Sequence, residues 1–135
     1  MNQAHSPFHC LVWIDHATAR IYAAQRDGLH ELSVIHAPDL GHGHVHHHAG
    51  TPGPGHEPPA LVFLEETVSA IKDAEEILIA GPAEAKHALK RHIAVHAPRL
   101  EAHIVGVATM ADCGPAELKD FARRFFLRAD RMQAP

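Results

Sequence analysis

Residues 10–21 read CLVWIDHATARI, and this stretch holds the pattern from which the rest of the fold follows. Every side chain from Cys10 to Ile14 is apolar. Apolar runs of this length, bounded by turn residues such as Asp15, are typical of strands that are buried on both faces. The following segment, Ala19 to Ala24, predicts a second strand. The stretch therefore predicts two adjacent strands joined by a tight turn.

A hairpin turn and a third strand are expected next. Asp27-Gly28 is a pair that supplies the positive φ that tight hairpin turns require. Leu29 to Ile35 alternates apolar with polar side chains, which is typical of a strand with one face in water. Three antiparallel strands are therefore predicted at the start of the fold.

The remainder of the chain alternates helix and strand patterns. Apolar residues recur at helical spacing in three segments, and short apolar runs lie between them. The order β-β-β-α-β-α-β-α predicts an α/β fold with a mixed five-stranded sheet and helices packed on it, which is the element order of ribonuclease-H-like folds. The predicted later elements begin with a helix over 60–74 and a strand over Ile77–Ala80. A second helix follows, with Pro82 at its first position and Glu84 in its first turn, and it ends before Pro98. The last elements are a strand over Ile104–Ala108 and a helix opened by Gly114-Pro115, whose apolar stripe is Leu118, Phe121, Ala122, Phe125 and Ala129.

Length and charge restrict the class of protein. With 135 residues and 46% apolar content, the chain suits a single domain over 1–135 with its own core. Lys and Arg number 12 against 16 Asp and Glu, so an overall excess of positive charge is excluded, and any RNA contact must be local. No apolar stretch approaches the roughly 20 residues that cross a bilayer, and Cys10 and Cys113 form no disulfide framework. We expect a cytoplasmic protein with reduced thiols and no membrane contact.

The segment 37–59 has a composition that forms no packed element. It contains five Gly, five Pro and six of the 15 His, and a long flexible loop is expected. Because imidazoles bind Zn and other divalent transition metals, this loop is a candidate metal site. Its candidate ligands are His42, His44, His46, His47 and His48. The alternatives are a solvated polar loop and an arm that touches RNA, whose charge rises as the pH falls through about 6.5. No cofactor is expected to be required.

The side chains that could supply a catalytic site do not form one. Asp15 follows the first strand, where ribonuclease-H-like nucleases place a metal-binding carboxylate, but two-metal chemistry needs further acids and only Asp112 is available. We interpret Asp15 as a turn residue that accepts hydrogen bonds from backbone N–H groups. Cys10 lies in an apolar strand where a thiol is inert, and Cys113 is interpreted as a turn thiol. A hydrolase that uses Asp15 and loop histidines stays an alternative.

Four segments, in order, resemble the middle domain of the archaeal and eukaryotic peptide-chain release factor and Pelota family. They are VWIDHATARI at 12–21, Gly28 to Ile35, ILIAGPAEAK at 77–86 and IVGV at 104–107. The resemblance runs from about residue 10 to residue 128 and is closest to the short bacterial stand-alone members known as translational machinery proteins. It implies the fold of that domain and a function connected with translation.

The residue that carries peptide release in that family is missing here. The family's loop after the third strand carries a Gly-Gly-Gln tip that positions the hydrolytic water. The equivalent stretch, Gly41 to Gly50, contains no Gln, and the glutamines of this chain are Gln3, Gln25 and Gln133. The resemblance therefore implies the scaffold without the release activity. We expect a non-catalytic, translation-associated protein that binds the ribosome or RNA; the alternative is a histidine-rich metal-binding protein on the same scaffold.

Positive charges of the second half gather on two predicted helices. Three are expected on the outer side of the helix that follows the fourth strand, and three lie toward the end of the last helix. Such runs are ordinarily solvated helix faces, but with the resemblance they become candidate contacts to RNA phosphates. The six candidates are Lys86, Lys90, Arg91, Arg123, Arg124 and Arg128.

Overall fold

The computed structural model describes residues 9–25, 28–38, 59–111 and 114–133, with the side chains of the last helix described for 116–126. The strands are β1 (His9–Ile14), β2 (Thr18–Gln25), β3 (Gly28–His36), β4 (Glu76–Gly81) and β5 (Ile104–Thr109), and the helices are α1 (Leu61–Ile71), α2 (Ala85–His96), α3 (Pro98–Glu101) and α4 (Pro115–Gln133). The predicted order of elements is confirmed, and the short α3 is an addition to it. Within the described ranges, none of the helices combines the length and apolar composition that a membrane crossing needs.

The five strands form one mixed sheet with the order β3-β2-β1-β4-β5. β1 pairs with β2 and β2 pairs with β3 in antiparallel fashion, whereas β1 pairs with β4 and β4 pairs with β5 in parallel. Val12 shows both kinds of pairing, because it lies opposite Ile21 on one side and Ile79 on the other. The prediction of a mixed five-stranded sheet with three antiparallel strands at its start is confirmed.

β1 lies at the centre of the sheet and is buried on both faces. Cys10, Val12 and Ile14 pack on the side of α1, α2 and α3. Leu11 and Trp13 pack on the side of α4. None of these five side chains is more than 4% exposed. The unbroken apolar run of β1 is thus explained by helices on both faces of the sheet.

Two glycines allow close approaches within this arrangement. A Cβ at Gly81, the last residue of β4, would lie 2.1 Å from the carbonyl oxygen of Ile14. A Cβ at Gly106 in β5 would lie 2.7 Å from the Cζ of Phe125 in α4. Gly81 therefore requires glycine, because the neighbour is backbone, whereas a Cβ at Gly106 would require the ring of Phe125 to shift.

α2 begins later than the sequence pattern predicts. β4 continues through Gly81, so Pro82 lies in the bend that reverses the chain, and the helix starts at Ala85. Placing Pro82 at the first helical position is therefore wrong. Glu84 is the N-cap residue and not a first-turn acid. The strand, which is held by pairing on both sides, determines where the helix can begin.

Proline ends α2, as predicted, and also starts α3. Ala97 has φ −142° and ψ 61°, outside the helical region, because a proline restricts the residue before it. Pro98 then opens α3, where no backbone N–H is needed. The four residues of α3 bring Leu100, 7% exposed, into the core shared with α1 and α2.

α1 is shorter than the predicted helix over 60–74. Ala60 is its N-cap, and the chain turns at Lys72 to reach β4. The segment before α1 is predicted as a flexible loop over 37–59. Of these residues, 37, 38 and 59 are described and belong to no helix or strand, and 39–58 lie outside the described residues.

α4 buries part of the predicted stripe. The buried side chains are spaced by four residues and are Leu118, Ala122 and Phe126. Leu118 and Ala122 are buried as predicted, Phe121 and Phe125 are half-buried against the same cluster, and the omission of Phe126 is wrong. Phe126 is buried because it faces β1, where the ring centroid of His9 lies 5.0 Å from its own. Ala129 has no described side chain.

Candidate nucleic-acid interface

Asp15 closes the turn between β1 and β2. Its Oδ1 accepts hydrogen bonds from the backbone N–H groups of Ala17, at 2.9 Å, and Thr18, at 2.8 Å. The N–H of Asp15 in turn donates to the carbonyl oxygen of Thr18 at 3.0 Å. The interpretation of Asp15 as a turn residue is confirmed, and its carboxylate is engaged by the backbone.

The strand beside Asp15 brings no second carboxylate to the end of β1. β4 ends in Ala80 and Gly81, and Gly81 lies directly against the carbonyl group of Ile14. Asp112, the expected companion of Asp15, is outside the described residues. In the part of the chain that the structure describes, no group of three or more His, Cys, Asp or Glu side chains could hold a metal ion.

Several predicted site residues fall outside the described part of the chain. Arg128 lies in α4, but its side chain is not described. Cys113 and the predicted metal ligands of the loop are not described either; the latter are His42, His44, His46, His47 and His48. The metal site predicted in the loop therefore stays a prediction.

Cys10 is buried in β1 and has no exposed surface. Burial raises the pKa of the Cys10 thiol to about 12, because the thiolate would lose its hydration. Since the thiolate is the nucleophilic form, Cys10 is unreactive at neutral pH. The prediction of an inert thiol in this strand is confirmed.

Two of the basic residues predicted on the outer side of α2 are accessible. Arg91 is exposed and forms no ion pair or hydrogen bond with any described residue. Lys90 is half-buried, and its Nζ lies 3.7 Å from the Oε2 of Glu101 in α3. Both side chains can therefore reach a ligand on this side of the molecule, Lys90 after release of a weak surface ion pair.

Lys86, the third basic residue of α2, is not on the outer side. It is 3% exposed, and its Nζ donates a hydrogen bond to the carbonyl oxygen of Ala83. The prediction is wrong because Lys86 is buried in the first turn of α2, and its ammonium group turns back to the bend that follows β4. In this position its ammonium group serves the backbone of the bend.

The basic residues of α4 divide into paired and unpaired ones. The Nη2 of Arg124 donates to the Oδ2 of Asp120, one turn earlier, at 2.7 Å, and both side chains are exposed. Arg123 and Lys119 are also exposed, and neither has an ion-pair partner among the described residues. Lys119 is not among the predicted candidates, although its spacing of four from Arg123 places both on one side of the helix.

Lys119 and Arg123 line a shallow cleft between α4 and the β2–β3 hairpin. The cleft encloses only about 20 Å³ and is otherwise open to solvent. Gly28 at the hairpin has φ 138°, which favours glycine, and a Cβ there would lie 3.0 Å from the Cε of Lys119. The hairpin side of the cleft consists of Ala24, Gln25, Gly28 and Leu29, and the helix side of Lys119, Ala122 and Arg123.

A histidine pair lies at the junction of α1 and α2. His92 is 9% exposed, and its ring centroid is 4.4 Å from that of His96. Burial lowers the pKa of His92, the neighbouring His96 lowers it further, and Glu65 of α1 acts in the opposite direction. The folded protein therefore favours the neutral form of His92.

A scan against protein-family models finds no match for this chain, and no curated protein matches it. Solved structures do match. The Pelota protein of Archaeoglobus fulgidus aligns with a TM-score of 0.59 and 14% sequence identity, over 82% of this chain and 28% of that chain. The Pelota protein of Thermoplasma acidophilum aligns with a TM-score of 0.52 and 18% identity, over 82% of this chain and 30% of that chain.

These alignments establish a shared fold. At identities of 14% and 18% they show the fold alone. The chain spans less than a third of the length of the Pelota proteins that it matches. The likeness to Pelota expected from the sequence is thus confirmed for the fold, and this chain has the architecture of one part of those proteins.

Proposed function

We propose that this protein is a translation-associated protein of the cytoplasm that binds the ribosome or RNA and does not catalyse peptide release. The observation that carries the proposal is the alignment of 82% of the chain with part of A. fulgidus Pelota at a TM-score of 0.59. The sequence resemblance supports it, because the segments 12–21, 28–35, 77–86 and 104–107 lie on or beside strands of that same sheet.

The proposal extends to the type of fold and the class of protein. Three antiparallel strands followed by two parallel ones, in the order β3-β2-β1-β4-β5, favour a ribonuclease-H-like sheet. The residues that carry the resemblance favour the bacterial translational machinery proteins, as expected from the sequence. Neither assignment implies a nuclease activity, because function depends on the side chains at a site and not on the scaffold.

Three observations support a non-catalytic role. The glutamine of the family's Gly-Gly-Gln tip has no counterpart in residues 41–50. The carboxylate of Asp15 accepts two backbone hydrogen bonds in the β1–β2 turn. The thiol of Cys10 is buried, with its pKa raised to about 12. We therefore propose that Asp15 and Cys10 serve the scaffold, that the glutamine needed for peptide release is lacking, and that the function is binding.

The proposed contacts to RNA are the accessible basic residues of α2 and α4. Arg91 and Arg123 are exposed without an ion-pair partner among the described residues. Lys90 and Arg124 form exposed ion pairs, which are worth only about 0–1 kcal/mol and open readily for a phosphate. Lys86 is left out because it is buried. Arg128 completes the proposed set.

The proposal requires no metal ion. The histidines that would bind one, His42 to His48, belong to the predicted loop and not to the helices proposed to contact RNA. Phosphate contacts by Arg and Lys need no bridging cation. A chelator that removes transition metals but leaves the Mg²⁺ of the ribosome in place is therefore expected to leave RNA or ribosome binding unchanged.

Co-sedimentation with ribosomes, with and without a chelator, tests the proposal. We expect the protein to pellet with ribosomes at low salt and to remain in the supernatant at high salt, equally in both series. Peptidyl-tRNA on the same ribosomes should stay intact. Chelator-sensitive pelleting, or tight stoichiometric metal binding without pelleting, would instead favour the metal-binding alternative. Hydrolysis of the peptidyl-tRNA would contradict the non-catalytic assignment.

A further inference from the structure

We propose that the cleft between the β2–β3 hairpin and α4 binds a backbone phosphate of RNA, with Lys119 and Arg123 as its charged contacts. The inference rests on the proposed function and names a place on the molecule where RNA binds. The proposed site includes Lys119 and the hairpin backbone. The sequence pattern of basic residues does not predict that these two lie side by side. The amide group of Gln25, on the hairpin side of the cleft, is a further donor.

The side chain of Lys119 passes close to the backbone of the hairpin. Gly28 has φ 138°, and a Cβ at this residue would lie 3.0 Å from the Cε and 3.1 Å from the Nζ of Lys119. The glycine therefore leaves room for the lysine side chain beside the hairpin. Lys119 is exposed, so its ammonium group is accessible to a ligand at the cleft.

The charges of the cleft are uncompensated within the described residues. Lys119 and Arg123 are separated by four residues on α4, a spacing at which two positive charges destabilise a helix. Asp120, the acid nearest to them on the helix, is bonded to Arg124 at 2.7 Å. Neither Lys119 nor Arg123 has an ion-pair partner among the described residues. A bound anion would remove the repulsion between them.

The size and chemistry of the cleft favour a backbone phosphate over a whole nucleotide. It encloses only about 20 Å³ and is otherwise open to solvent, so it can contact one small group that stays attached to a larger ligand. Ala24, Leu29 and Ala122 supply apolar walls that offer no hydrogen bonds to a base edge. Arg and Lys donors together suit the oxygens of a phosphate. Binding of this kind reads charge and not sequence.

A titration of the isotopically labelled protein with a short oligouridine, followed by NMR, tests the site directly. We expect the backbone amide signals of Gly28, Leu29 and Ala122 to shift on binding. The variant Lys119→Ala/Arg123→Ala should bind about tenfold more weakly, with its salt slope reduced by about 0.7 to 1. The matched control, Lys72→Ala/Arg99→Ala, also loses one lysine and one arginine from exposed positions outside the proposed contacts and should lose less than about twofold.

A thermal unfolding measurement separates a binding role from a structural one. Because the variant Lys119→Ala/Arg123→Ala relieves repulsion on α4, its Tm should equal or exceed that of the wild type. A lowered Tm together with unchanged oligouridine binding would show that the two side chains stabilise the hairpin, and would overturn the proposal. Titration with inorganic phosphate identifies the ligand: if it binds as tightly as oligouridine, the site takes a free anion and the RNA assignment is wrong.

Failure of this inference can be told from failure of the proposed function. If the wild type and the cleft variant pellet with ribosomes equally and oligouridine shifts no cleft signal, the cleft assignment is wrong while ribosome binding stands. If oligouridine shifts the cleft signals and the variant abolishes the shift, the phosphate site is confirmed even where ribosomes fail to pellet the protein.

Discussion

Asp15 contributes to the fold through two hydrogen bonds in the β1–β2 turn. Asp15→Ala removes both acceptors, so we expect the free energy of unfolding to fall by about 1–2 kcal/mol. Asp15→Asn keeps a side-chain carbonyl at the same place and should lose less than about half of that amount. Urea unfolding monitored by Trp13 fluorescence measures both variants. Equal stability of Asp15→Ala and the wild type would show that the turn does not depend on this side chain.

Gly81 is required by the close approach of β4 to the end of β1. Gly81→Ala places a Cβ 2.1 Å from the carbonyl oxygen of Ile14, and the two central strands must separate to admit it. We expect a loss of about 3 kcal/mol or more, because neither backbone can move without losing its pairing. Gly114→Ala is the control, since a Cβ there meets no atom within 4 Å. It should change the stability by less than about 1 kcal/mol, and a similar loss for both variants would contradict this account.

His92 makes the free energy of unfolding depend on pH. Burial and the neighbouring His96 lower its pKa in the folded state, so the unfolded chain takes up the proton more readily. The stability that His92 confers is therefore complete above about pH 6.5, the ordinary value for histidine, and is lost as the pH falls towards its lowered pKa. His92→Gln should unfold with a weaker pH dependence between about pH 7.5 and 5. Because the chain has 15 His, the informative quantity is the difference between the two curves; superimposable curves would contradict the assignment.

The strands follow from their own sequences more closely than the helices do. β1 is predicted because a strand with helices on both faces must be apolar throughout, and Cys10 to Ile14 satisfies this without reference to the rest of the chain. The start of α2 is not a local property. Pro82 and Glu84 suit the first turn of a helix, but β4 continues through Gly81, which pairs with Thr109 of β5, and the helix begins only at Ala85.

The stripe on α4 is a second case in which tertiary geometry decides. Spacing alone allows either Phe125 or Phe126 at the centre of the buried face, and packing beside His9 of β1 selects Phe126, 5% exposed. We expect Phe126→Ala to reduce the free energy of unfolding by about 3–5 kcal/mol. Phe121→Ala, at a half-buried position of the same helix, should cost at least about 1 kcal/mol less, because less apolar area is lost. Chemical denaturation of the two variants measures this, and the reverse order would show that the helix packs through its other edge.

The candidate interface is less predictable from sequence than the fold. The helices that carry its basic residues are identified by periodicity, but exposure depends on how each helix meets the rest of the molecule. Lys86 and Arg91 are alike in sequence pattern, yet one is buried under the β4–α2 bend and the other is exposed. Lys119 gains its proposed role only from Gly28, which is distant in the chain and adjacent in the structure.

At the level of the whole molecule, an acidic chain is proposed to bind a polyanion. The formal net charge is −4, so attraction must come from the local basic surfaces of α2 and α4. Such binding depends on few phosphates, so the salt slope of its association constant is smaller than that of a strongly basic protein that contacts many phosphates. The salt dependence therefore distinguishes contact with phosphates from binding through metal, and its slope counts the contacts.

The central claim is tested most directly by the equilibrium affinity of the fluorescently labelled protein for purified ribosomes, measured at several potassium chloride concentrations in the presence of a chelator. We predict that the logarithm of the association constant falls linearly with the logarithm of salt concentration, with a slope of about −2 to −4, which corresponds to about three to five phosphate contacts. An affinity that is independent of salt, or the absence of binding at the lowest salt concentration, would contradict the proposal that this fold serves as a ribosome- or RNA-binding module.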